Sequence, residues 1–151
     1  MFAIDLDTGD ILAQKEYEIK LTDTTDSLLT TLNMLGSVLL LDVLGSFDEF
    51  YKNRQKQDEK LASFTPHMQK SDGLIDIGNP PSPEKLNLMI RAYSPWPGVW
   101  FKYNINDKEL RIKLLPNKMI QVEGKKPMSI KDFINGYKEG KEILKKLNLE
   151  N

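Results

Sequence analysis

Ser82-Pro83-Glu84-Lys85-Leu86-Asn87-Leu88-Met89-Ile90-Arg91-Ala92-Tyr93-Ser94-Pro95-Trp96-Pro97-Gly98-Val99-Trp100 packs a helix, its stop, a corner and the start of a strand into one stretch. Serine is a preferred N-cap, proline fits the first helical position, and an acid suits the first turn. Leu86, Met89, Ile90 and Tyr93 then recur at i, i+3, i+4 and i+7, one face of a helix. Pro95 disfavours a helical residue before it, so the helix stops by Ser94. Arg91 to Gly98 reads as that stop plus a rigid corner with Trp96 packed beneath it.

Downstream, Trp100–Tyr103 and Leu110–Leu115 read as strands, and Met119–Val122 as a third. In the second, Leu110, Ile112 and Leu114 alternate with Arg111 and Lys113, so one face is core and the other basic. Ser129-Ile130-Lys131-Asp132 resembles a capping box with Asp in place of Glu. Ile130, Phe133, Ile134 and Tyr137 form the stripe behind it, and a basic last turn, Lys141 to Lys146, closes the chain. Helices bracketing a run of short strands make an α+β chain.

Upstream, Phe2–Ile4 is a short apolar run, Asp7-Thr8-Gly9-Asp10 is turn chemistry, and Ile11–Ile19 alternates roughly like an edge strand. Two strands cannot bury both their faces. Thr22 to Asp26 offers N-caps for a long helix over about residues 25–44, with Leu28, Leu32, Leu35 and Leu39 as its stripe. Further leucines and valines widen that stripe, which predicts a helix buried on more than one side. With a strand pair alone beside it, such a helix leaves an apolar face without its sheet. Residues 46–81 read as linker. FDEFYKNRQKQDEK is loop or short helix, Ser63–Met68 is extended, Asp72-Gly73 is a turn, and Gly78-Asn79-Pro80-Pro81 breaks the pattern.

The 151 residues are 40% hydrophobic and 28% charged, enough for one domain or two small ones. Zero cysteines exclude disulfides and thiolate metal sites, and a single histidine, His67, leaves little for a histidine-based one. The longest unbroken apolar run, Val38–Leu41, is too short to span a bilayer, and the acidic first residues lack a basic signal-peptide start. No membrane and a cytoplasmic setting are expected. Charge is uneven: residues 1–60 hold six Lys/Arg against twelve Asp/Glu, whereas 61–151 hold fifteen against ten. A basic back half suits a polyanionic partner.

Two stretches carry a resemblance. Asp5 to Leu12 (DLDTGDIL) resembles the LDTGD segment late in the folate-dependent formyltransferase domain. Ile90 to Trp100 (IRAYSPWPGVW) is similar to the IRAFNPWPGAW segment that opens the C-terminal domain of methionyl-tRNA formyltransferases. Between them Thr65 to Ile77 resembles the family's TxxxxKxDGxIDW stretch, with Ile77 where Trp is usual, and Gly124-Lys125-Lys126-Pro127-Met128-Ser129 resembles its GKKxMS segment. The order of segments is the family's, over essentially the whole chain.

The resemblance implies a boundary near residue 45. Residues 1–45 are the C-terminal part of a Rossmann-like formyltransferase domain, 46–81 a linker, and 82–151 an OB-like tRNA-docking domain with flanking helices. The family barrel needs five or six strands and residues 100–127 offer about three, so the OB-like part is abbreviated. The implied reaction moves a formyl group from 10-formyltetrahydrofolate to the amino group of initiator methionyl-tRNA. The amine attacks the formyl carbonyl while the oxyanion is stabilised and protons are moved. Of the family's catalytic Asn, His and Asp, only the Asp has a counterpart, Asp7; without the resemblance Asp7 reads as a turn carboxylate. The chain is therefore expected to be inactive alone, with most of the folate site outside it and no metal.

The resemblance also implies partners and surfaces. The implied partner is initiator methionyl-tRNA; a further alternative is a subunit that completes a separately encoded N-terminal half. The implied phosphate contacts are Arg111, Lys113, Lys102, Lys125 and Lys126, with Lys118 beside them. Arg91, Pro95, Trp96, Pro97 and Gly98 form a structural corner in which Arg91 pairs with a linker carboxylate such as Asp76. The alternatives are a sugar-nucleotide formyltransferase fragment, whose second domain also carries a PWPG-like corner, and a non-catalytic tRNA-binding module.

Overall fold

The helix capped by Ser82 forms as α3, Pro83–Ala92, in a computed structural model that describes residues 7–149. Two α-helices precede it in the described chain, α1 (Thr25–Gly45) and α2 (Phe47–Lys52), and two follow it, α4 (Ile130–Gly136) and α5 (Gly140–Lys146). The Phe2–Ile4 run and the Asp5-Leu6 part of the LDTGD segment lie outside the described residues. The described chain divides into two compact units. One holds residues up to Lys20 with Ser27–Pro66; the other holds Leu21–Asp26 with the residues from His67 on.

The second unit is built on α3 and a sheet. Ser82 Oγ accepts from the Lys85 N–H at 3.3 Å, and Pro83 opens the helix. After the stop, the Ser94–Pro95 and Trp96–Pro97 bonds are both cis, and Gly98, at φ +72, hands the chain into β1. The Gly98 N–H donates to the Tyr93 carbonyl at 2.8 Å and closes the corner on the helix end. A Cβ on Gly73 would fall 1.8 Å from the Gly98 carbonyl oxygen, so only glycine permits this approach. Beside it Leu74 bridges Trp100 in parallel, and the Ile75 N–H donates to the Trp100 carbonyl at 2.9 Å.

β1 (Val99–Ile105), β2 (Lys108–Leu115), β3 (Met119–Val122) and β4 (Met128–Ser129) form an antiparallel meander in chain order. Asn106 and Asp107, both at positive φ, make the two-residue turn that matches strand twist. Alternation puts Val99, Phe101, Ile105, Ile112, Leu114, Ile120 and Val122 on the buried face. Leu86 of α3, Ile75, Phe133 of α4, and Ile143 and Leu144 of α5, with Leu147 after it, complete one core. Each large apolar side chain buried there stabilises the fold by about 1.5–3 kcal/mol. The architecture is α+β, as expected, and the three strands read from the alternation form. The two-residue β4 was not foreseen.

The first unit departs from expectation twice. Ile11–Ile19 is not a strand: only Ile11 pairs, exchanging two backbone hydrogen bonds of 2.8 Å with Gln55. The alternation is present, but no neighbouring strand among the described residues supplies a ladder. α1 forms over the expected span, yet Val43 is its only buried residue, where burial on more than one side was expected. Leu29, Leu32, Met34, Val38, Leu40, Leu41 and Leu44 are exposed, because none of the described residues of this unit packs over them. By length and composition alone α1 is also long and apolar enough to cross a membrane.

Candidate functional site

Residues paired directly across an antiparallel sheet share a face, with Cβ atoms roughly 5 Å apart. Lys102 of β1 faces Arg111 of β2, Trp100 faces Lys113, and Lys113 faces Gln121 of β3. The outward face opposite the core thus carries Lys102, Arg111 and Lys113 together, as the alternation in β2 predicted. Arg111 and Lys113 are half-buried, and Lys102 is exposed. Arg111, Lys113, Gln121, Val122, Glu123 and Gly124 line a shallow cleft of about 110 Å³ on this face. Gln121 Nε2 donates to the Lys125 carbonyl at 2.9 Å, which pins the Gly124–Lys126 turn at the margin of the face. Lys125 and Lys126 are both exposed there.

Two acids share the face, and their positions were not singled out in the sequence. Lys102 Nζ pairs with Glu109 Oε2 at 2.6 Å. The hydrogen bond from Lys102 to Glu109, and then the charge of Glu109, hold the Lys102 pKa above its ordinary value. Glu123 Oε2 accepts the Arg111 backbone N–H at 3.0 Å. That hydrogen bond lowers the Glu123 pKa, with the Arg111, Lys108 and Lys102 charges adding to it and burial opposing. Of the five cations expected to meet phosphate, Lys102 is held by Glu109, whereas Arg111, Lys113, Lys125 and Lys126 make no ion pair with the described residues and are open to an anion. The signal that would have found Glu109 and Glu123 is period two: each continues the outward series of its strand.

The corner is scaffold. Arg91 Nη1 donates to the Asp23 carbonyl at 2.7 Å, and Thr25 Oγ1 to the Ala92 carbonyl, fastening residues 21–26 to the end of α3. Asp76, expected as a partner for Arg91, accepts from the Gly78 N–H at 2.8 Å. Pro97 and Gly98 are buried and Pro95 is exposed. Trp96 does not pack beneath the corner: 57% of it is exposed, because the space underneath is taken by the Gly73 backbone. The indole that is held is that of Trp100, whose Nε1 donates to the Lys70 carbonyl at 3.1 Å with Lys70 Nζ 6.0 Å above the ring.

Asp7 sits at φ +60 in an exposed turn of the first unit. Gln57 Nε2 donates to the carbonyls of Asp7 and Gly9, at 2.9 and 2.6 Å, and Arg54 Nε pairs with Asp10 at 2.8 Å. The turn is held from outside and the Asp7 carboxylate is left at the surface. His67 falls in the other unit. No group of acids and histidine able to hold a metal ion is found among the described residues.

No family model matches the chain. It is 36% identical over 123 residues to a methionyl-tRNA formyltransferase of Akkermansia muciniphila, covering 80% of this chain and 38% of that protein. The enzyme of the same name from Koribacter versatilis is 31% identical over 88% of this chain and 51% of its own length. That of Rickettsia bellii is 29% identical, with 88% and 51% covered. The matched region is the C-terminal part of these proteins. The chain spans about half the length, or less, of the curated relatives it matches.

Proposed function

Because the chain belongs to the methionyl-tRNA formyltransferase family over that family's C-terminal part, we propose that it supplies the tRNA-docking portion of such an enzyme. The complete enzyme transfers the formyl group of 10-formyltetrahydrofolate to the amino group of initiator methionyl-tRNA, in the cytoplasm. Residues 82–151 act as a reduced OB-like docking domain and residues 1–45 as the tail of the catalytic domain. Asp7 contributes the one catalytic carboxylate on this chain. The observation that carries the docking role is the outward sheet face, where Arg111 and Lys113 project side by side with Lys125 and Lys126 at its margin. Backbone phosphates suit this face: such contacts position a nucleic acid without reading its sequence.

The experiment is an anisotropy titration of initiator tRNA at several salt concentrations. Each phosphate neutralised releases condensed counterions, so affinity falls steeply with salt. Arg111→Ala with Lys113→Ala weakens binding to all tRNAs alike and flattens the salt slope by about two phosphate contacts. The fold is expected to survive, since both side chains lie on the outward face, opposite the core, and neither is in an ion pair with the described residues; an unchanged circular dichroism spectrum checks it. Coincident curves for wild type and double variant would remove the docking role from this face.

A further inference from the structure

We infer that the outward sheet face receives an unpaired nucleotide of RNA, its base stacked on the Trp100 indole and its phosphate against Lys113. The inference rests on the docking role proposed above and names which part of the RNA this face accepts. The face is built in rows. Trp100, Lys113 and Gln121 stand side by side across β1, β2 and β3. On one side of that row Lys102 pairs with Arg111, and on the other Leu115 pairs with Met119. Rows two residues apart along a strand are about 6.6 Å from each other. One end of the face is thus cationic and the other apolar, and Trp100 and Lys113 stand where the two meet. Trp100, Lys113, Leu115, Met119 and Gln121 are all half-buried, so each keeps some surface open. Both acids of the face stand off this row: Glu109 pairs across with Asn104, and Glu123 is bound to the Arg111 backbone.

A duplex uses only half of such a face. Its phosphates satisfy the cations, but its bases are stacked on one another and offer nothing to the indole, Leu115 and Met119. A single strand presents a phosphate and the flat face of a base together, and aromatic side chains beside a basic track are how proteins hold it. The indole is already set for this. Trp100 Nε1 donates to the Lys70 carbonyl at 3.1 Å, and the Trp100 carbonyl accepts from the Ile75 N–H at 2.9 Å, so ring and backbone are both fixed from outside β2. Lys70 Nζ stands 6.0 Å from the ring centroid, at the outer limit of a cation–π contact, and gives way to a base at small cost. Lys113 makes no ion pair with the described residues, which leaves its ammonium for the phosphate of the same nucleotide.

The test compares, by anisotropy on the full chain, a labelled oligouridylate with an RNA duplex of equal length. The single strand is expected to bind about fivefold more tightly at the same salt concentration. Trp100→Leu weakens its binding about tenfold, the loss of one stacked base, while Trp100→Phe keeps it within about threefold of wild type. Neither substitution changes the salt slope, because neither removes a phosphate contact. A role for Trp100 in the fold alone would move strand and duplex alike. The chain has two tryptophans, so Trp96→Phe leaves Trp100 as its one indole. Its fluorescence is expected to be quenched by saturating oligouridylate and unchanged by the duplex, and this readout decides the matter if Trp100→Leu fails to fold. Equal affinity for strand and duplex, an unquenched indole, or wild-type binding by a folded Trp100→Leu variant would each overturn the inference. Salt-dependent binding that Arg111→Ala with Lys113→Ala still flattens would then leave the docking role standing, whereas no RNA binding at all would end both.

Discussion

Glu123 decides how positive the outward face is. Its carboxylate accepts the Arg111 N–H and is held below its ordinary pKa of 4.5, so it is fully ionised near neutrality and repels phosphate. Glu123→Gln therefore tightens tRNA binding by a few-fold while Arg111 and Lys113 keep their places, as the same titration would read out; unchanged or weaker binding would show that RNA does not approach this edge. A second carboxylate tests the electrostatics away from that face. Glu142 is lowered first by its hydrogen bond from Lys146, 2.8 Å away, and then by the Tyr103 hydroxyl, while Lys146 is raised by the same contact. A depressed carboxylate pKa contributes stability that is present above the unfolded value, near 4.5, and is lost as pH falls through the folded value. Both groups are fully exposed, so that contribution is small. Lys146→Met moves the Glu142 midpoint up toward 4.5, and a carboxyl-carbon NMR titration shows whether it does.

Helix α3 depends on its cap more than on its length. Ten residues make a marginal helix in water, and Leu86 is its only buried side chain, so the Ser82 bond to Lys85 N–H closes a first turn that little else fixes. Ser82→Ala lowers stability by about 1 kcal/mol in urea unfolding, and a loss within error would mean that Pro83 alone sets the start. This element was legible because cap, proline and apolar spacing agree over one short stretch. β2 and β3 were legible for the same reason, since period two and burial coincide at Ile112, Leu114, Ile120 and Val122. Ile11–Ile19 misled because alternation states which face a strand would bury without stating that a neighbour exists. Trp96 misled because a large indole beside prolines suggests packing, while Gly73, twenty-three positions earlier in the chain, packs against Pro97 and Gly98 in a contact that no periodicity registers. The cation face was legible from Arg111 and Lys113. The two acids on it were not, because Glu109 and Glu123 read as ordinary solvated charges until the register placed them.

At the scale of the whole molecule the two units are unequal. The second has a continuous core of sheet, α3, α4 and α5, whereas among the described residues of the first only Val43 of α1 is buried. Stability follows buried apolar area, so slow hydrogen exchange is expected in β1, β2 and β3 and fast exchange along α1. The proposed roles divide in the same way. Formyl transfer needs an oxyanion partner and proton carriers held within hydrogen-bond reach of one carbonyl. Asp7 stands in an exposed turn braced by Gln57. A lone surface carboxylate neither polarises a formyl carbonyl nor stabilises the charge that develops on it. The purified chain is therefore expected to transfer no formyl group from 10-formyltetrahydrofolate to methionyl-tRNA, and, on the docking proposal, to bind tRNA with a steep salt dependence. Acid gel electrophoresis of the aminoacyl-tRNA separates formylated from free product; turnover by this chain alone would require a catalytic constellation other than the one built around Asp7.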